Sequence, residues 1–121
     1  MRVLLIDDSK SMRAIMRAAL QPMGKLDIVE AHDGVDATSK VIACKPQLIL
    51  CDSDMPKMNG LELLEKVRAD ARFATLPVLM LTTEGQPELI AKAKSLGARG
   101  WMVKPFKPEQ LVAAAKKLTA R

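Results

Sequence analysis

The sequence predicts a doubly wound α/β domain built on a parallel sheet, and three observations lead there. Five short apolar runs recur along the 121 residues: Val3–Ile6, Ile28–Val29, Leu48–Cys51, Val78–Leu81 and Trp101–Val103. Most of them are continuous rather than alternating, the pattern of strands covered on both faces. Segments of helical period separate them through short connections, with no linker or low-complexity stretch. Right-handed crossovers then place the helices on both sides of one sheet.

Each element has its own local reason. After the first run, Met12, Ile15, Met16, Ala19, Leu20 and Met23 follow the i, i+3, i+4, i+7 spacing of an amphipathic helix, and Gly24 supplies a stop. Asp8 or Ser9 can cap its start. A weaker second helix follows Asp33-Gly34 and is anchored by Val41 and Ile42. Leu61, Leu64 and Val67 mark a third, after which Pro77 opens the fourth strand. Pro87 suits the first turn of a fourth helix through Ile90 and Ala93, ended by Gly97. Leu111, Ala114, Ala115 and Leu118 mark a fifth, with Pro108 near its start. The result is (βα) repeated five times. Its strand order, 2-1-3-4-5, is taken over from flavodoxin-like sheets rather than derived from this chain. In that order strands one and three are neighbours at the switch point, so a site belongs beyond their carboxyl ends.

Composition narrows the function. Hydrophobic residues make up 49% and charged residues 27%, a balance that suits a packed domain and argues against disorder. The length favours a single domain over residues 1–121. No apolar run approaches a membrane span and the start lacks a signal-peptide layout, so a cytoplasmic protein is expected. Cys44 and Cys51 fit neither a disulfide framework nor a zinc site, and His32 is the single histidine, which leaves no histidine cluster or catalytic triad. The net charge of +5 is uneven, because residues 86–121 hold eight basic and two acidic side chains. A one-sided basic region suggests an acidic partner surface.

The strand ends carry the chemistry. Strand one ends in Asp7-Asp8, strand three in Asp52 followed by Ser53-Asp54-Met55-Pro56, strand four in Thr82-Thr83, and strand five in Lys104-Pro105. Neighbouring carboxylates repel one another and need a counter-charge. Hard oxygen ligands beside a site that admits phosphate point to Mg²⁺. A carboxylate can attack phosphorus to give an aspartyl phosphate. A lysine can offset charge on the phosphoryl oxygens, and a threonine can donate a hydrogen bond to one of them.

At these residues the chain resembles the receiver domains of two-component response regulators. The matching stretches are Asp7-Asp8-Ser9, Asp52-Ser53-Asp54-Met55-Pro56 with Met58-Asn59-Gly60, Leu81-Thr82-Thr83, and Val103-Lys104-Pro105-Phe106. Each alone is common; four in order at successive strand ends are specific. The resemblance implies Asp52 as phosphoacceptor and Mg²⁺ held by Asp7, Asp8, Asp52 and the Asp54 main-chain carbonyl. It implies Thr82 and Lys104 on the phosphoryl group, a cis peptide at Lys104-Pro105, and Asp54 and Glu84 flanking the phosphoryl group and tuning its lifetime. Asp8-Ser9 with Met12-Arg13, and Thr83-Glu84, are most similar to single-domain chemotaxis receivers, so no output domain is expected. Tryptophan at Trp101 departs from the tyrosine or phenylalanine usual there.

Plainer readings stand beside these. Trp101 reads as a core aromatic on the last strand, Cys51 as buried and inert, and His32 as a surface residue. The first functional expectation is a phosphorylation-controlled switch with a histidine kinase as phosphodonor, not an enzyme acting on an outside substrate. Its output would be an acidic protein segment, such as the flagellar motor switch, bound on the helix 4–strand 5–helix 5 face. Lys92 and Lys94, off the Ile90/Ala93 stripe, and Lys116 and Lys117, off the Leu111/Ala115 face, supply charge around Trp101. Nucleic acid is disfavoured by the shortage of stacking aromatics, and no membrane partner is expected. Two alternatives remain. One is the receiver part of another two-component or phosphorelay pathway, including a longer DNA-binding regulator. The other is a phosphatase of the haloacid-dehalogenase type, whose Asp-x-Asp motif Asp52-Ser53-Asp54 mimics.

Overall fold

In a computed structural model the apolar runs become strands β1 (Arg2–Ile6), β2 (Asp27–Ala31), β3 (Leu48–Asp52), β4 (Val78–Thr83) and β5 (Gly100–Lys104). The structure describes residues 1–52, 60–83, 87–104 and 106–119. All strand pairs are parallel and the order is β2-β1-β3-β4-β5, as expected. Between them run α1 (Lys10–Ala19), α2 (Gly34–Cys44), α3 (Gly60–Ala69), α4 (Pro87–Ser95) and α5 (Pro108–Thr119).

The register sorts the strand residues into two rows. Leu5, Leu50, Leu79 and Gly100 lie side by side on one face. There Leu5, Leu50 and Leu79 pack with Met16 and Leu20 from the α1 side and with Leu111 and Ala115 of α5. Ile6, Cys51, Met80 and Trp101 form the row on the opposite face. Its first three members pack with Ala37 and Val41 of α2, Leu63, Leu64 and Val67 of α3, and Ala93 of α4.

Four expectations change. The first helix stops at Ala19, and Gln21–Met23 form a short 3-10 turn before Gly24 at φ +92°. Pro22 has no N–H to donate and its ring would meet the carbonyl four residues back, so an α-helix cannot run on to Met23. Ile15 is 52% exposed, because the buried stripe runs through Met16, Ala19 and Leu20 and leaves it at the margin. Ile42 is exposed beside buried Val41 for the same reason. Trp101 is not a core aromatic: it is 39% exposed, as the last member of its row on an edge strand paired with β4 alone.

Candidate functional site

The site is assembled at the carboxyl ends of the strands. Asp7 follows β1 directly, and its N–H donates to the Ala31 carbonyl at 3.2 Å, extending the β1–β2 ladder by one residue. Its Oδ1 accepts the Ser9 N–H at 2.8 Å. Ser9 in turn caps α1, its hydroxyl accepting the Met12 N–H at 3.2 Å. One turn thus orients a site carboxylate and starts a helix.

Carboxylate oxygens of Asp7, Asp8 and Asp52 lie within 4.8 Å of one another, with Asp7 and Asp52 buried and Asp8 exposed. Lys104 reaches in from β5, its Nζ 3.1 Å from Asp52 Oδ1. Burial is the main reason that the Asp7 carboxyl is pushed up to about 6, against the Ser9 hydrogen bond, which lowers it; repulsion from Asp52 raises it further. Asp7 Oδ2 and Thr82 Oγ1 are buried without a hydrogen-bond partner. Among the described residues these are the buried side-chain oxygens left unpaired, and such oxygens are costly, so both are suited to a guest. A cluster of hard anionic oxygens with one unsatisfied member matches a divalent cation of the Mg²⁺ type, and an unpaired hydroxyl matches an anionic oxygen.

The structure therefore brings together Asp7, Asp8, Asp52 and Lys104, with Thr82 at the end of neighbouring β4. Asp54, Glu84 and Pro105 lie outside the described residues. Cys51, adjoining Asp52, is fully buried, and that burial pushes its thiol well above the usual range, which keeps it unreactive. His32 lies on the surface, with ring nitrogens 3.3 Å from Asp33 Oδ2 and 3.0 Å from Asp36 Oδ2. Lys92, Lys94, Lys116 and Lys117 are all exposed.

Two contributors, Arg13 and Glu30, escaped the sequence reading. They form a buttress behind Asp7, and Lys94 Nζ sits 5.7 Å from the centre of the Trp101 ring. The available signal for Arg13 was its place near the start of α1, because helical side chains lean back toward the N-terminus and there face the strand end. Lys104, which also counts among the basic side chains of the last third, turns to the carboxylates from the end of β5.

The response regulator receiver domain family matches residues 3–116. The chain belongs to that family. Among curated relatives, this receiver is 41% identical over 112 residues to chemotaxis protein CheY1 of Helicobacter pylori, a match covering 92% of this chain and 90% of that one. It is 38% identical to the chemotaxis protein CheY homolog of Campylobacter jejuni, covering 92% and 86%. Among solved structures, the chemotaxis response regulator CheY4 of Vibrio cholerae superposes with a TM-score of 0.89 at 38% identity, over 97% of each chain. The receiver is thus CheY-like, a signalling protein of two-component systems rather than a conventional enzyme. Among the described residues, no helix is long and apolar enough to cross a membrane.

Proposed function

We propose that this receiver is a phosphorylation-controlled switch of the chemotaxis type, acting in the cytoplasm as a single-domain response regulator. Asp52 takes a phosphoryl group from the phosphohistidine of a histidine kinase. The observation that carries this reading is the convergence of three carboxylates on Lys104, next to a buried hydroxyl without a partner. Asp7, Asp8 and Asp52 would hold Mg²⁺, with the Asp54 main-chain carbonyl as a further ligand. The bound ion would supply charge neutralisation at the phosphoryl oxygens.

The chain's own groups divide the remaining work. An Asp52 oxygen forms the new bond to phosphorus as the phosphorus–nitrogen bond to the kinase histidine breaks. Lys104, ion-paired to Asp52 beforehand, offers its ammonium to the charge that the phosphoryl group brings. Thr82 donates its hydroxyl hydrogen to a phosphoryl oxygen, which satisfies a group otherwise unpaired. Asp54 and Glu84 tune the lifetime of the product. The added charge shifts the α4–β5–α5 face around Trp101, where an acidic segment of a target such as the flagellar motor switch would dock. The relatives support this reading, since three of the most similar carry chemotaxis names.

Asp52→Asn tests it. The amide is nearly isosteric and cannot attack phosphorus. With a small acyl-phosphate donor and Mg²⁺, the wild type should acquire one acid-stable, base-labile phosphoryl group and the variant none. Labelling of Asp52→Asn at the wild-type rate would remove Asp52 from the mechanism.

A further inference from the structure

Arg13 ties three elements together at the back of the carboxylate cluster. Its Nη1 donates to the Asp7 carbonyl at 2.5 Å, and its Nε donates to Glu30 Oε1 at 2.8 Å. The side chain is only 14% exposed, so both bonds are sheltered from competing water. Glu30 lies on β2, beside β1, and is itself fixed from both sides. Arg17, one turn after Arg13, donates to Glu30 Oε2 at 2.8 Å, and Lys40 of α2 donates to the Glu30 main-chain carbonyl at 2.5 Å. Hydrogen bonds from Arg17 and Arg13 hold the Glu30 carboxyl below its ordinary range, so it stays charged.

The Arg13 bond falls on the peptide that joins Asp7 to Asp8. The Asp7 carbonyl belongs to the peptide unit that joins the two carboxylate-bearing residues. With that carbonyl bound by Arg13, the Asp7 N–H bound to Ala31 and Asp7 Oδ1 bound by Ser9, the peptide has little freedom to rotate. What is left of Asp7 is Oδ2, which has no partner. Glu30 also balances the Arg13 charge. The guanidinium can therefore grip the peptide without adding a full positive charge that would compete with a cation in the cluster.

We infer that Arg13, braced by Glu30, is a positioning residue that fixes the Asp7–Asp8 peptide so that the two side chains enter the acidic cluster in the relation a divalent cation requires. This rests on the Mg²⁺ reading above and adds to it a residue that touches neither ion nor phosphoryl group. Arg17 is the internal control. It pairs with the same carboxylate, so its loss weakens the buttress electrostatically and leaves the bond to the Asp7 carbonyl in place.

Affinity for Mg²⁺ is measured by calorimetry, and for Mn²⁺ by counting free ion by electron paramagnetic resonance, in the unphosphorylated full chain. The variants are Arg13→Met, Arg13→Lys, Arg17→Met and Asp7→Ala with Asp8→Ala. Circular dichroism and thermal melting confirm folding. Arg13→Met should bind either ion about tenfold more weakly, Arg17→Met should stay within about twofold of wild type, and Arg13→Lys should recover part of the loss because an ammonium can still donate to the carbonyl. Without metal, the Asp8 amide nitrogen, which shares the gripped peptide, should shift in Arg13→Met and not in Arg17→Met. Wild-type affinity in folded Arg13→Met, or equal losses in Arg13→Met and Arg17→Met, would overturn the inference while the double aspartate variant still marks the cation site. Failure of the wild type to bind either ion would overturn the Mg²⁺ reading itself, and the inference with it.

Discussion

β3 and β5 each deliver one member of the Asp52–Lys104 pair, yet they are built in opposite ways. β3 lies between β1 and β4, and every residue from Leu48 to Asp52 is buried. β5 pairs with β4 alone, and its burial alternates, with Trp101 and Val103 each 39% exposed. A strand hydrogen-bonded on both sides and packed on both faces can hold a nucleophile in one place. An edge strand with an open face can present a lysine to the site on one side and a recognition surface on the other. On the function proposed above, the chemistry and its readout would meet across a single ladder, β4·β5. The neighbours of the exposed residues in β4, Met80 beside Trp101 and Thr82 beside Val103, belong to the core and to the site respectively.

Core truncation should break the comparison most visibly. Leu50, fully buried in the leucine row, should cost about 2–5 kcal/mol when replaced by alanine, because the loss of transfer energy is joined by a cavity. Val103→Ala on β5 should cost under about 1 kcal/mol. Urea unfolding of both variants measures the ratio; similar losses would mean that β5 is as tightly packed as β3.

Sequence patterns made this division half legible. Continuous apolar runs at Val3–Ile6, Leu48–Cys51 and Val78–Leu81 mark strands covered on both faces, and these are the three inner strands. The run Trp101–Val103 reads the same way, but whether a strand has one neighbour or two is a property of the assembled sheet. From the sequence alone, Trp101 therefore reads as a core residue. The cluster of Asp7, Asp8 and Asp52 was legible because strand ends of a doubly wound sheet converge at one edge. Arg13 and Glu30 were not, since their meeting depends on the α1–β2 packing, which no local period encodes. Pro22 could have been read: a proline ten residues after Met12 sets a limit to that helix whatever the apolar spacing says.

Acid sharpens the buried end of the comparison. Folding raises the Asp7 carboxyl from 3.8 to about 6, chiefly because burial disfavours its charge. Between those values the folded protein binds more protons than the unfolded chain, so Asp7's share of stability is fully present below about pH 4 and is lost as the pH rises through about 6. Asp7→Asn carries no such proton. In metal-free buffer the wild type should therefore lose stability relative to Asp7→Asn as the pH is raised from 4 to 7. Denaturant unfolding of the pair along that series measures it, and a constant difference would show that burial does not govern Asp7.

Salt sharpens the exposed end, where the expected effect is smallest. Lys92, Lys94, Lys116 and Lys117 are exposed on the two helices that follow and precede the β5 edge in sequence, and Lys94 contacts the Trp101 ring. Solvent-exposed pairs contribute little singly, and their fields are screened within about 10 Å at 0.1 M salt. Docking of an acidic segment on this surface should therefore weaken as salt rises, through a slower approach more than a faster departure. Lys92→Glu with Lys116→Glu should weaken binding of an acidic target peptide severalfold and flatten its salt dependence, while Asp52 phosphorylation keeps its rate. Trp101, the single tryptophan, is a built-in fluorescent reporter of the docked state. Nucleic acid would answer to the same lysines but differently, with a steep salt slope set by the number of phosphates neutralised. Unchanged peptide binding in the charge-reversed variant would move the partner surface away from β5, and tight binding of the wild type to random duplex DNA at physiological salt would replace the acidic segment with a polyanion.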